Sequence, residues 1–162
     1  MSRQTADLLE VLLALERGSV HYVLVGGVAA IIHGAELTTR DVDIVPERSH
    51  ENLARLRVVL EELDTKVRDP AGGELEPDWS AMAGDGHHLL QSRLGPIDVL
   101  GIVEGDLDYE ALVQRSEVVT DDRLSVRVAT LETLIEIKTR LGRPRDRLAL
   151  PVLIALLRTR EA

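Results

Sequence analysis

Cysteine is absent from the 162 residues, which excludes disulfides, thiolate nucleophiles and zinc–cysteine sites together. Any metal ion must therefore be bound through oxygen or imidazole. Phenylalanine is absent too, and one tryptophan with two tyrosines leaves too few rings for the stacked platforms that hold single-stranded nucleic acid. Lysine is nearly missing, with Lys66 and Lys138 the only two among nineteen basic residues. A net charge of −9 argues against the broad basic surface of an unspecific duplex binder. No apolar run is long enough to span a bilayer, and the N-terminal stretch from Met1, interrupted by Asp7 and Glu10, lacks the apolar core of a secretory signal. A soluble, cytoplasmic protein with no membrane partner is expected.

What is present suits one globular domain over residues 1–162, with a core over about 20–128 and a helical part over about 130–160. Leu8, Leu9, Leu12, Leu13 and Leu15 recur at helical spacing between about Ala6 and Arg17, with Gly18 as a stop. His21 to Val25 reads as a strand that meets Gly26-Gly27, and Val28 to His33 reads as a short helix. Asp41 to Val45 alternates polar and apolar residues, as a strand does, and Ser49 is placed to cap a helix bearing Leu53, Leu56, Val59, Leu60 and Leu63. Residues 69–86 are rich in Gly, Pro and acids and predict a loop. His88–Leu94 and Ile97–Val103, joined by Gly95-Pro96, predict a hairpin. A short helix from Tyr109 precedes strands around Val118-Val119 and Leu124–Val128. Thr130 is placed to cap a helix that Gly142 closes, and a last helix is expected over about 146–158, with Pro151 inside it. The fold class is α/β (α+β): a mixed, mainly antiparallel sheet covered by helices, not a strictly alternating one.

Asp41 and Asp43 stand two apart on a predicted strand, so both side chains leave one face. Two carboxylates that close raise each other's pKa unless a cation lies between them, and a hard ion such as Mg²⁺ suits them when phosphates add ligands. Asp98 is a third carboxylate in an apolar setting. If its strand neighbours that of Asp41, three carboxylates converge. A D-x-D pair alone is more often a solvated strand end. Its context is the strand-to-helix turn at Gly26-Gly27, where backbone N–H groups can hold phosphate oxygens.

The pattern Gly26-Gly27-x-Ala29, His33-Gly34, Thr39-x-Asp41-Val-Asp43 and Ile97-Asp98-Val99 resembles the nucleotidyltransferase superfamily related to DNA polymerase beta. Within it, the chain resembles the small bacterial AbiEii-like toxins and minimal nucleotidyltransferases. The resemblance implies a nucleotidyltransferase fold and transfer of a nucleoside monophosphate from an NTP to a hydroxyl of a tRNA, a protein or a small molecule. It implies two Mg²⁺ ions, with Mn²⁺ as a substitute, on the catalytic carboxylates Asp41, Asp43 and Asp98. It further implies nucleotide or phosphate binding by Gly26, Gly27, Thr39, Arg40 and Lys138, the last from the stretch Leu134-Ile-Glu-Ile-Lys138-x-Arg140. The implied partner is a cognate antitoxin or toxin protein. The alternative is a catalytically weak nucleotide-binding module of a toxin–antitoxin pair. Leu37 stands where relatives often carry a basic residue, and Ala149 where they often carry a second acid.

Other polar residues have plainer readings. His33 is expected to pack or cap at a helix end, since Asp98 already offers a base. His87-His88 lacks a third nitrogen ligand for zinc. Arg140, Arg143, Arg145 and Arg147 can bind a triphosphate or RNA, although a charge run after a helix is usually solvated.

Overall fold

The computed structural model of the protein describes residues 3–162, so Met1 and Ser2, where the reading of the N-terminus begins, lie outside it. Among the described residues, seven strands and six α-helices form a mixed α/β structure: α1 (Arg3–Arg17), β1 (Tyr22–Val25), α2 (Gly26–Ile32), β2 (Val42–Pro46), α3 (His50–Glu62), β3 (Lys66–Val67), β4 (His87–Ser92), β5 (Gly95–Leu100), α4 (Tyr109–Val113), β6 (Ser116–Thr120), β7 (Ser125–Ala129), α5 (Leu131–Leu141) and α6 (Pro144–Glu161). The strands form one sheet in the order β3-β4-β5-β2-β1-β7-β6. Four pairings are antiparallel, whereas β2 pairs with β5, and β1 with β7, in parallel. The expectation of a mixed, mainly antiparallel sheet is met. All four residues of β1 are buried, as a central strand covered on both faces requires.

Local signals set the helix ends. Ser49 accepts a hydrogen bond from the Asn52 N–H, and Thr130 one from the Thr133 N–H, so both caps lie where the sequence placed them. Gly142 ends α5 in the left-handed conformation, φ 59°, where a Cβ is costly. Asn52 is fully buried: its amide donates to the carbonyls of His21 and Glu47 and accepts from the His21 N–H, tying the start of β1 to the end of β2.

Several boundaries differ from expectation. The two-residue turn of the β4–β5 hairpin is Arg93-Leu94, not Gly95-Pro96, because Ser92 pairs with Gly95 and Gln91 with Pro96. Pro96 fits inside β5 because the ladder to β2 starts one residue later, at Val42 opposite Ile97, so its missing N–H costs no bond there. α2 begins at Gly26, directly after β1, instead of at Val28. α6 begins at Pro144, whose fixed φ suits the first helical position, and runs on through Pro151. Within the expected loop, Ser80–Ala83 forms a 3-10 turn, Met82 is buried, and the Arg57 guanidinium lies 5.0 Å over the Trp79 ring.

Candidate active site

The parallel pairing of β2 with β5 sets Asp43 directly opposite Asp98. Asp41 precedes the first residue of β2 and leaves toward the same place. One carboxylate oxygen from each of Asp41, Asp43 and Asp98 lies within 4.8 Å of the other two. The three residues are half-buried, and among the described residues this is the one cluster of His, Cys, Asp or Glu with metal-ligating spacing. The strand adjacency on which Asp98 depended is therefore present.

Burying and crowding these acids has an electrostatic cost, visible at Asp43. Its burial, then the charge of Asp98, a hydrogen bond with Asp98 and the charge of Asp41, push its carboxyl from an ordinary 3.8 up to about 7, with Arg145 partly opposing. A site of hard oxygen ligands whose mutual repulsion is only partly relieved fits a divalent cation. Arg68, which no sequence motif marks, meets the third carboxylate: its Nη2 donates to Asp98 Oδ1 at 2.6 Å and to the Leu90 carbonyl at 2.9 Å.

The glycine turn adjoins the acids. Gly26 has φ +74°, and a Cβ there would lie 2.0 Å from Asp43 Oδ2. A Cβ on Gly27 would lie 2.6 Å from the Thr39 hydroxyl. Both glycines thus make room for Asp43 and Thr39 against the start of α2. Arg40 is exposed and enters no ion pair among the described residues.

Lys138 is bonded to none of the three carboxylates. Its Nζ stands 3.5 Å from Oδ1 of Asp146, a fully buried carboxylate at the start of α6 that also accepts from Arg143 Nε at 2.7 Å. Burial alone would raise the Asp146 carboxyl, but the Arg143 hydrogen bond and the charges of Arg143 and Lys138 outweigh it and hold the acid below its ordinary range. The hydrogen bond to Asp146, and beyond it the charges of Asp43 and Glu104, favour the charged form of Arg143. Arg143 and Arg145 therefore lie within the field of the carboxylate cluster, whereas Arg140 is engaged by Asp106 and Glu136. The sequence had offered the four arginines without distinguishing them.

His33 packs, as expected. It is buried, and its Nε2 is 2.7 Å from the Ala129 carbonyl. His87 Nε2 lies 2.8 Å from the Ile102 carbonyl, and neither His87 nor His88 joins a metal-ligating cluster among the described residues. Ala149 is buried and Leu37 packs against the core, so both departures from the family pattern are apolar packing positions.

No family model matches the sequence, and no curated protein matches it. Solved structures do. The lincosamide antibiotic adenylyltransferase LnuA, in its lincomycin-bound form, is 15% identical with a TM-score of 0.64 over 93% of this chain and 96% of its own. The antibiotic-resistance factor ANT(2'')-Ia, in complex with adenylyl-2''-tobramycin, is 18% identical with a TM-score of 0.56 over 99% and 100%. A Thermotoga maritima protein named for the nucleotidyltransferases is 17% identical with a TM-score of 0.56 over 89% and 88%. At this identity the likeness concerns the fold: the chain has the nucleotidyltransferase fold.

Proposed function

We propose that this protein is a Mg²⁺-dependent nucleotidyltransferase that moves a nucleoside monophosphate from an NTP to an acceptor hydroxyl, with pyrophosphate leaving. The observation that carries this reading is the register of Asp43 against Asp98 with Asp41 beside them, three carboxylate oxygens within 4.8 Å of one another next to the Gly26-Gly27 turn. Asp41 and Asp43 would ligate both ions and Asp98 the ion on the acceptor side, with Mn²⁺ able to replace Mg²⁺. Bound there, the ions supply charge neutralisation for the triphosphate and a lowered pKa for the attacking hydroxyl. Backbone N–H groups at Gly26 and Gly27, with Thr39, Arg40 and Lys138, are assigned to the phosphates, and Arg143 and Arg145 join them through their place in the field of Asp43. Asp146 holds Lys138 and Arg143 in place.

A small-molecule hydroxyl is the favoured acceptor. The structural neighbours named above act on a lincosamide or hold an adenylylated tobramycin, and a net charge of −9 disfavours a long RNA. The second reading is an NTP-binding module of a toxin–antitoxin pair, favoured by the apolar residues at positions 37 and 149. Labelled NTPs with Mg²⁺ and a panel of hydroxyl compounds, among them lincosamides, aminoglycosides and total tRNA, separate the two. Transfer that disappears in Asp43→Ala is expected. Tight NTP binding with no transfer to any acceptor, in Mg²⁺ or Mn²⁺, is the result that would replace the enzyme by the binding module.

A further inference from the structure

Arg68 follows β3 at the edge of the sheet, and its own N–H donates to the Leu89 carbonyl at 2.9 Å. From this anchor the guanidinium reaches past β4 to β5, where a single nitrogen, Nη2, bridges the Leu90 carbonyl and Asp98 Oδ1. The arginine is thus fixed at its backbone and at its tip. Its Nε is buried and has no hydrogen-bond partner. Buried donors left without acceptors are rare, so this one calls for an explanation. The ion pair itself is partly exposed, with 29% of the Arg68 side chain and 14% of the Asp98 side chain accessible, so its worth as a surface salt bridge is small. Its consequence for the carboxylate is larger. A charge-assisted bond of 2.6 Å engages Oδ1 and restrains rotation of the Asp98 carboxylate beside Asp41 and Asp43.

We propose that Arg68 is a positioning residue that holds the Asp98 carboxylate in its working orientation beside Asp41 and Asp43, while the guanidinium moderates the negative charge of the cluster. This rests on the nucleotidyltransferase reading above. Two effects follow with opposite signs. Removing the guanidinium deletes a positive charge beside the carboxylates, which strengthens cation binding. It also frees Asp98 to turn, which misplaces the ligand and slows turnover, as loss of a partner behind a metal ligand commonly does by about 10–100-fold. General damage to the fold would weaken both.

The experiment compares wild type with Arg68→Gln and Arg68→Lys, measuring Mn²⁺ affinity by the electron paramagnetic resonance of free Mn²⁺ and turnover by pyrophosphate release. Circular dichroism melts monitor the fold. Arg68→Gln is expected to bind Mn²⁺ about three- to tenfold more tightly, with kcat lowered about 10–100-fold and the KM for NTP within about twofold. Arg68→Lys keeps the charge but not the fixed fork, so its Mn²⁺ affinity should stay near wild type while kcat falls. Mn²⁺ affinity that is unchanged or weakened in Arg68→Gln, or a kcat that stays within about twofold of wild type, overturns the inference. A wild-type protein that binds no Mn²⁺ overturns the underlying carboxylate-metal reading, whereas wild-type binding with no tightening in Arg68→Gln overturns the role of Arg68 alone.

Discussion

Gly26 shows how little space the site leaves for one more carbon. A methyl group there meets Asp43 Oδ2 at 2.0 Å and must also hold φ +74°, a conformation that costs an L-residue about 1–2 kcal/mol. Gly72 has a similar φ of +79° but open space around its Cβ position. The pair separates backbone strain from displacement of the carboxylate. Gly72→Ala should lower stability by about 1 kcal/mol and leave transfer unchanged, whereas Gly26→Ala should lower stability by at least as much and abolish detectable transfer. Urea unfolding and the label-transfer assay read the two quantities. Equal activity loss in both variants would show that Gly26 acts through its backbone alone. Gly27→Ala, which meets Thr39 instead of Asp43, is expected to weaken NTP binding about tenfold, about 1.4 kcal/mol, while Mn²⁺ affinity stays near wild type. Titration with a fluorescent NTP and with Mn²⁺ tests that division.

At the scale of elements, the joint between α5 and α6 depends on Asp146. Its carboxylate has no exposed side-chain surface, accepts from the backbone N–H of Arg143 at 3.2 Å, and neutralises both Lys138 and Arg143. Asp146→Ala leaves Lys138, itself only 15% exposed, without a counter-charge, and breaking such a pair from one side typically costs about 3 kcal/mol or more. A loss of unfolding free energy of that size, read as a lowered urea midpoint, is expected, with a raised KM for NTP in the protein that remains folded. An unchanged midpoint would mean that Lys138 finds another partner. Much of this architecture was legible in the sequence because its signals are local. Ser49, Thr130 and Gly142 mark helix ends through bonds to residues three or four positions away. The D-x-D pair and Gly26-Gly27 are equally compact. The turn at Arg93-Leu94 was missed because register is decided by cross-strand pairs such as Leu90 with Ile97, and Gly95-Pro96 gave the stronger local turn signal. Arg68 was invisible for the same reason: thirty positions separate it from Asp98, and only the order β3-β4-β5 brings them together. The division among the arginines, with Arg143 and Arg145 toward the carboxylates and Arg140 toward Asp106, likewise follows from where α6 docks.

For the whole molecule, the carboxylate cluster links folding, proton binding and cation binding. Asp43 is raised from 3.8 to about 7 in the metal-free fold by burial and by its acidic neighbours. Between these values the folded chain holds a proton that the unfolded chain has released, so this group's contribution to stability falls as pH rises from about 4 to about 7 and is constant above. The distance between these values bounds the effect at about 4 kcal/mol, and partial exposure with the shared titration of Asp98 reduces it to about 1–3 kcal/mol. Asp43→Asn removes the titration. In EDTA the variant should be more stable than wild type above pH 7 by about that amount, and the two should converge near pH 4, as thermal melts across this range would record. A cation must displace the same proton, so wild-type Mn²⁺ affinity should rise up to about tenfold per pH unit below about 7 and level off above it, with proton release visible as a buffer-dependent binding enthalpy. An Asp43→Asn protein less stable than wild type at pH 8, together with Mn²⁺ affinity that is flat from pH 5.5 to 8, would show that the repulsion is relieved within the protein itself. If the variant is instead stabilised while transfer is lost, the carboxylates are held together against their own repulsion, and the metal-free fold is least favourable at the pH where the site is ready to bind a cation.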